Sequence, residues 1–109
     1  MERAAYFDQT RFYRYSLHRR WADGAPLLFV MLNPSVADAT KDDPTVRRCI
    51  GFAHRLGYGA MSVVNLFALI ATDPNELLEE HADGEDLCGV LNDEYLSQGS
   101  RGAGRVIVV

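Results

Sequence analysis

The sequence has no long apolar run, only two cysteines and no excess of positive charge, and each shortage excludes a class of protein. No run approaches the roughly 18–20 apolar residues of a membrane-spanning helix, and the N-terminus has no signal-peptide core, so we expect a cytoplasmic protein. Cys49 and Cys88 form no CxxC pair, which favours two reduced, partly buried thiols. The net charge of -4 argues against a general nucleic-acid coat.

Several motifs of known chemistry are also missing. The three histidines, His18, His54 and His81, are isolated and lack the spacing of zinc ligands. The sequence contains no GxGxxG, no phosphate-binding P-loop and no GxSxG elbow, and Ser35 has no obvious base partner for a nucleophilic triad. We therefore expect no metal and no cofactor.

Positive charge is concentrated near the N-terminus. Five of the ten arginines fall within the first twenty positions: Arg3, Arg11, Arg14, Arg19 and Arg20. Acidic residues gather between Asp73 and Glu94. A solvated edge strand is the preferred interpretation of the basic segment, and local contact with a phosphate is the alternative.

The order of apolar runs and helix signals predicts a single α/β domain over residues 1–109. We predict strands at 11–20, 27–32, 61–69 and 105–109. We predict one helix that is capped by Asp43 and ended by Gly57, a short helix from Thr72-Asp73-Pro74 to about residue 80, and a third helix at 86–96. A flexible connector is expected at 97–104. This order is typical of a three-layer α/β/α arrangement with a mainly parallel central sheet, here with an antiparallel N-terminal edge strand.

The segment at 105–109 reads as the start of a third buried strand at the end of the chain. We therefore expect an incomplete domain, truncated at the C-terminus. An unfinished sheet edge of this kind predicts pairing with a second copy, hence a homodimer.

A polar loop follows the first buried strand, "LLFVML", and is the first candidate site. Ligands of open α/β sheets bind beyond the carboxyl ends of the strands, which is where Asn33 lies. Pro34 directs the chain out of the strand, and the Asn33 amide can orient a water or read a base edge. The other candidate residues of this loop and the helix after it are Ser35, Asp38, Thr40, Asp42, Arg47 and Arg48. Taken singly, each of them also fits a cap or a surface ion pair.

The second apolar run, "SVVNLFAL", carries one amide, Asn65. If the two runs form neighbouring parallel strands, Asn65 and Asn33 lie near the same sheet edge, although a satisfied structural amide is an equally open interpretation. Thr72 and Asp73 follow at the next helix N-terminus, where an anion would be stabilised. We include all three as candidate ligand-binding residues.

The segments "MLNPSVADATKDDPTVRRCIGFAHRLGYG" and "VVNLFALIATDPNEL" closely resemble the bacterial and phage family catalogued as domain of unknown function 1643. The strand "YRYSLHRRW" and the later "NDEYL" also fit that family. Members of the family continue past a strand like "RVIVV" into a Trp-Gly-containing turn, which this chain lacks.

A more remote resemblance is to the uracil-DNA glycosylase superfamily, especially its mismatch-specific branch. In that branch a strand ends in Asn-Pro-Gly, and the asparagine positions the attacking water. Asn33-Pro34-Ser35 stands in the corresponding place here, with Ser35 instead of glycine. Asp43-Pro44 followed by Arg47 or Arg48 is similar to that branch's elements before its first helix. Ser35 leaves less room for a flipped base than glycine does.

The resemblance and the loop together suggest three functions. The first is hydrolysis of an N-glycosidic bond in a nucleotide or nucleic acid, with Asn33 holding water and Asp38 or Asp42 giving electrostatic support. In this function Arg47, Arg48 and the N-terminal arginines would contact phosphate. The second is a non-catalytic module that binds a nucleotide or modified base. The third is a structural or interaction domain whose polar loop only caps helices.

Overall fold

A five-stranded mixed sheet forms the centre of the computed structural model, which describes residues 1–70, 89 and 91–108. Two helices pack on this sheet. The elements are β1 (Glu2–Phe7), β2 (Arg14–Arg20), β3 (Leu27–Met31), α1 (Pro44–Arg55), β4 (Ala60–Asn65), α2 (Asn92–Gly102) and β5 (Arg105–Val108). No helix within the described residues is long and apolar enough to cross a membrane.

The strand order is β1-β2-β4-β3-β5, with both kinds of pairing. β3 pairs parallel with β4 on one side and with β5 on the other, whereas β1 with β2 and β2 with β4 pair antiparallel. The sheet is therefore mixed rather than mainly parallel. The prediction that residues 11–20 form the edge strand is wrong, because β1 lies outside β2 and β2 occupies an interior position.

Local sequence signals determine α1, and its prediction is confirmed. The Asp43 side chain accepts a hydrogen bond from the Val46 amide at 2.8 Å, and Pro44 occupies the first turn. Gly57 follows the helix with a positive φ of 81°, a conformation that glycine adopts without strain. Val46, Cys49 and Ala53 form the buried side of the helix.

Each helix covers a different face of the sheet, because successive side chains of a strand point to opposite faces. On the face that we call the α1 side, Leu27, Phe29, Met61 and Val63 pack with the buried residues of α1. The other face, the α2 side, has a smaller cluster of Leu28, Val30 and Val64, against which Leu96 of α2 packs.

A β-bulge interrupts the pairing of β1 with β2. Tyr6 pairs with Ser16 but Phe7 pairs with Arg14, so Tyr15 is an extra residue on β2. An extra residue changes which face the following side chains occupy. In agreement, Tyr15 stacks on Tyr95 of α2 at a centroid distance of 5.0 Å, whereas Arg14 reaches the α1 side.

Three other predicted elements differ from the structure. β4 ends at Asn65, and beyond it Leu69 makes only an isolated bridge with Tyr13. Residues 92–102 are helical, so most of the predicted connector at 97–104 belongs to α2. β5 forms as predicted, but Val106 and Val108 are exposed, so it is not a buried strand. The predicted short helix to about residue 80 lies outside the described residues.

Candidate site at the carboxyl ends of the central strands

The two candidate asparagines lie at the same edge of the sheet. In the parallel pair of β3 and β4, Met31 is opposite Asn65, and Asn33 follows two residues later. The segments beyond the strands stay side by side, since the amides of Leu66 and Phe67 donate to the carbonyls of Met31 and Leu32, each at 2.9 Å. This is the edge where ligands of open α/β sheets bind.

Asn65 is fully buried, and neither atom of its side-chain amide has a hydrogen-bond partner among the described residues. An unpaired buried polar group costs about 1–3 kcal/mol. Strand alternation places this side chain on the α1 side with Met61 and Val63. Its backbone carbonyl accepts a hydrogen bond from Asn92 Nδ2 at 2.9 Å, and the buried side-chain oxygen of Asn92 also has no partner among the described residues.

Asn33 is only partly buried, so it is the more accessible of the two strand-end amides. Its Nδ2 donates to the carbonyl of Pro34 at 3.0 Å. Pro34 is buried and Ser35 partly buried. The chain therefore leaves β3 through a fixed proline and presents the Asn33 amide beside it.

Asp38 and Thr40 form a tight turn in the middle of the loop. Asp38 Oδ1 accepts hydrogen bonds from the backbone amides of Thr40 and Lys41 at 2.9 and 2.7 Å, and from the Thr40 hydroxyl at 3.2 Å. These backbone amides hold the pKa of Asp38 below its usual range. The carboxylate is therefore an anion at neutral pH, and its geometry organises the loop.

Asp42 is held by two arginines of the antiparallel strands. Arg19 Nε donates to its Oδ1 at 2.9 Å, and Arg3 Nη1 donates to the same oxygen at 3.1 Å. Burial alone would raise the pKa of Asp42, but the hydrogen bonds from Arg19 and Arg3 outweigh burial and lower it. Arg19 is fully buried and also donates to the carbonyls of Asp38 at 2.6 Å and Lys41 at 3.3 Å.

Arg14 fixes the same loop from its other side. It is 3% exposed, and its Nη1 donates to the Ala37 carbonyl at 2.8 Å. Its Nε is unpaired among the described residues. Burial, partly offset by the charge of Asp43, lowers the pKa of Arg14 to about 10, so the guanidinium stays charged at neutral pH.

The preferred interpretation of the sequence places Arg14 and Arg19 on a solvated edge, with phosphate contact as the alternative, so neither is predicted to support this loop. That interpretation is wrong for these two arginines, which are buried and support the loop. The acidic residues at 38–43 indicate that a cation is needed near this loop, but no local sequence pattern identifies which arginines supply it.

The remaining candidate residues are either exposed or lie outside the described residues. Arg47 and Arg48 are exposed on the first turns of α1, and Arg47 Nη1 donates to the Asp42 carbonyl at 3.2 Å. Thr72 and Asp73 lie outside the described residues. Within those residues, no three His, Cys, Asp or Glu side chains are grouped so that they could hold a metal ion.

A model of one protein family matches residues 14–109, and its description reads "Protein of unknown function (DUF1643)". Neither the curated proteins nor the solved structures contain a match.

Proposed function

This chain belongs to the DUF1643 family, and from the geometry of its strand-end loop we propose that it binds a nucleobase or nucleotide at the carboxyl ends of β3 and β4. The family match extends over the whole loop, both central strands and α2. The family description carries no activity, so the proposal rests on the arrangement of Asn33, Asn65 and the arginines around them.

The unpaired amide of Asn65 is the observation that carries this proposal. A side-chain amide presents an acceptor and two donors, which is the complement of a base edge. Asn65 has neither group satisfied among the described residues, and Asn33 lies at the same edge of the sheet in a more accessible position. A planar ligand with one hydrogen-bond donor and one acceptor could pair with both groups of the amide, which would remove the free-energy cost of leaving them unpaired.

Two exposed arginines support the nucleotide form of the proposal. Arg47 and Arg48 project from the first turns of α1, directly after the loop. A guanidinium binds phosphate through paired N–H donors. The loop itself is supported by Arg14 and Arg19, whose charges are already committed to its carbonyls and to Asp42.

Isothermal titration with a panel of nucleosides and their 5′-monophosphates tests the proposal. Asn33→Ala should weaken binding by about 1–3 kcal/mol, the usual value of a paired amide contact to a base. Arg48→Ala should weaken the binding of the monophosphates but not that of the nucleosides. Arg55→Ala, at the far end of α1, is the matched control and should leave both unchanged. If no member of the panel binds, or if Asn33→Ala has no effect, the chain is better described as a structural or interaction domain.

Hydrolysis of an N-glycosidic bond is the second candidate, supported by the Asn33-Pro34 step at the end of a buried strand. In this function Asn33 holds the attacking water, as the likeness to the uracil-DNA glycosylase arrangement implies. Asp38 and Asp42 have lowered pKa values and remain carboxylates, so they fit electrostatic support of a cationic sugar centre better than proton donation.

Formation of abasic sites in uracil- or mismatch-containing DNA distinguishes hydrolysis from binding. The glycosylase-like function would be supported if wild type and Arg55→Ala form abasic sites and Asn33→Ala does not. Binding without any turnover would restrict the chain to the binding module.

A further inference from the structure

A groove lies on the α2 side of the sheet, away from the strand-end loop. It has a volume of about 730 Å³, within the usual range of roughly 300–1,000 Å³ for small-molecule sites. The floor is formed by β1, β2 and β4, and α2 forms one wall. The strand-end asparagines and the exposed arginines of α1 do not line it.

The centre of the groove floor is a histidine between two serines. His18 Nδ1 lies 2.7 Å from the Ser62 hydroxyl oxygen, and His18 Nε2 lies 2.9 Å from that of Ser16. Burial, together with the charge of Arg19, lowers the pKa of His18, so the ring is neutral at pH 7. Each hydroxyl retains further hydrogen-bonding capacity after its contact with the ring.

Aromatic rings continue from this floor to the wall of the groove. Tyr6 contacts His18 edge to face at a centroid distance of 5.7 Å. Tyr6 also lies 6.2 Å from Tyr95 of α2, which stacks on Tyr15. The groove therefore combines aromatic surface with hydroxyl, imidazole and amide groups, the last from Gln98.

Among the described residues, no charged side chain lies free at the centre of the groove. Arg3 and Arg19 contribute to its lining, but their side chains bond to Asp42 on the opposite face. The charged residues Glu2 and Arg20 lie at one end of the groove, opposite each other in the register of β1 and β2, and Arg20 donates to the carbonyls of Ala22 and Gly24. A charged ligand seated on His18, Ser16 and Ser62 would lose hydration without gaining an opposite charge.

We propose that this groove is a second binding site, which takes an uncharged heteroaromatic compound of the size of a free base or nucleoside. The ring would lie against Tyr6 and Tyr95, and its polar edge would hydrogen-bond to Ser16, Ser62 and Gln98. The site does not depend on the strand-end proposal, because it lies on the opposite face of the sheet and uses none of its residues.

Ala4 and Ala5 provide a matched pair of variants. Ala4 lines the groove and pairs with His18, whereas Ala5 pairs with Leu17, which belongs to the cluster on the α1 side. Ala4→Leu therefore places a larger side chain beside His18, and Ala5→Leu adds the same volume to the other face of the same strand. Ser62→Ala removes one hydroxyl from the groove floor. It replaces Ala4→Leu as the test variant if Ala4→Leu does not fold.

The experiment titrates wild type and variants with free bases, ribonucleosides and uncharged monosaccharides, following the His18 ring signals by NMR. We expect a base or nucleoside to shift these signals, Ala4→Leu to weaken that binding at least tenfold, and Ala5→Leu and Asn33→Ala to leave it within twofold. The proposal is overturned if His18 does not respond at millimolar ligand, if monosaccharides bind in place of the bases, or if Asn33→Ala rather than Ala4→Leu abolishes binding. These outcomes concern the groove alone. If the strand-end site proves not to bind nucleotides, the results expected for the groove stay the same.

Discussion

At the scale of single residues, Arg19 links the antiparallel strands to the polar loop. Its guanidinium is fully buried and bonds to the Asp42 carboxylate and to the carbonyls of His18, Asp38 and Lys41. Removing one partner of a buried charged network leaves the others desolvated and unpaired. The loop that carries Asn33 therefore depends on a residue that lies in another strand.

Arg19→Ala should lower the free energy of unfolding by about 3–5 kcal/mol, because it leaves Asp42 and two loop carbonyls without their main donor. Arg20→Ala is the control. Within the described part of the chain, the neighbouring Arg20 bonds only to carbonyls of an exposed turn, so the loss should stay below about 1 kcal/mol. Urea denaturation followed by circular dichroism measures both. Equal losses would contradict the role assigned to Arg19.

The lowered pKa of Asp42 gives the stability of the fold an acid dependence. Since the folded pKa lies below the value of 3.8 for a free carboxyl, the unfolded chain takes up a proton first as the pH falls. The stabilisation is therefore present above about pH 4 and lost progressively below it. In denaturation at pH 7 and pH 3, Asp42→Asn should be less stable than wild type at pH 7, with a smaller difference at pH 3. A constant difference would show that the charge of Asp42 is not responsible.

The buried arginines show why sequence reasoning located the loop but not its supports. Asn33, Asp38 and Asp42 stand out locally, because a polar segment follows an apolar strand. Arg14 and Arg19 bond to groups 23 residues away, and the sequence alone does not place those groups opposite them. Burial of a charge depends on a distant partner, which no local pattern contains.

At the scale of elements, glycine has opposite roles at two positions near α1. Gly51 is inside the helix, and a Cβ added there meets nothing within 4 Å. Gly59 precedes β4, and an added Cβ would lie 2.5 Å from the Asp23 carbonyl oxygen. The close approach of the turn at Asp23 therefore requires glycine at position 59, whereas no neighbouring atom requires glycine at position 51.

Gly51→Ala should raise the free energy of unfolding by about 0.5–1 kcal/mol through helix propensity. Gly59→Ala should lower it by about 1–3 kcal/mol, as overpacking does. Thermal unfolding of the two variants beside wild type measures the difference. If Gly59→Ala is as stable as wild type, the turn at residues 22–24 adjusts without cost.

The elements that sequence patterns predict well are those with local chemistry. Asp43-Pro44 and Gly57 determine the ends of α1, and continuous apolar runs mark β3 and β4. The sequence does not predict β1, because Ala4 and Ala5 lack the β-branched character of a strand and its formation depends on pairing with β2. The serine- and glycine-rich residues 97–102 resemble a connector, yet they pack as a helix on the sheet.

At the scale of the whole molecule, β5 leaves an open edge. It pairs with β3 along one side, and no described strand lies along the other. Val106 and Val108 are 43% and 71% exposed. An apolar strand with unpaired backbone groups is a template for pairing with another strand.

We expect weak self-association through β5. Sedimentation velocity over a range of protein concentrations should show a dimer that Val108→Lys reduces, because charge on an edge strand opposes pairing. Lys substitution of Tyr6, an exposed residue of the opposite edge strand, is the control and should leave association unchanged. A monomer at all concentrations, or equal effects of the two substitutions, would exclude this interface.

The single-residue bulge at Tyr15 has a consequence for how this protein can vary. Because it sends Arg14 toward the loop and Tyr15 toward the groove, one backbone irregularity serves both sides of the sheet at once. If the pairing were regular, with Phe7 opposite Tyr15, the two side chains would exchange faces, and the loop would lose a cation while Tyr95 lost its stacked ring. The two surfaces therefore share one backbone irregularity, and a one-residue change of register at this point alters both of them.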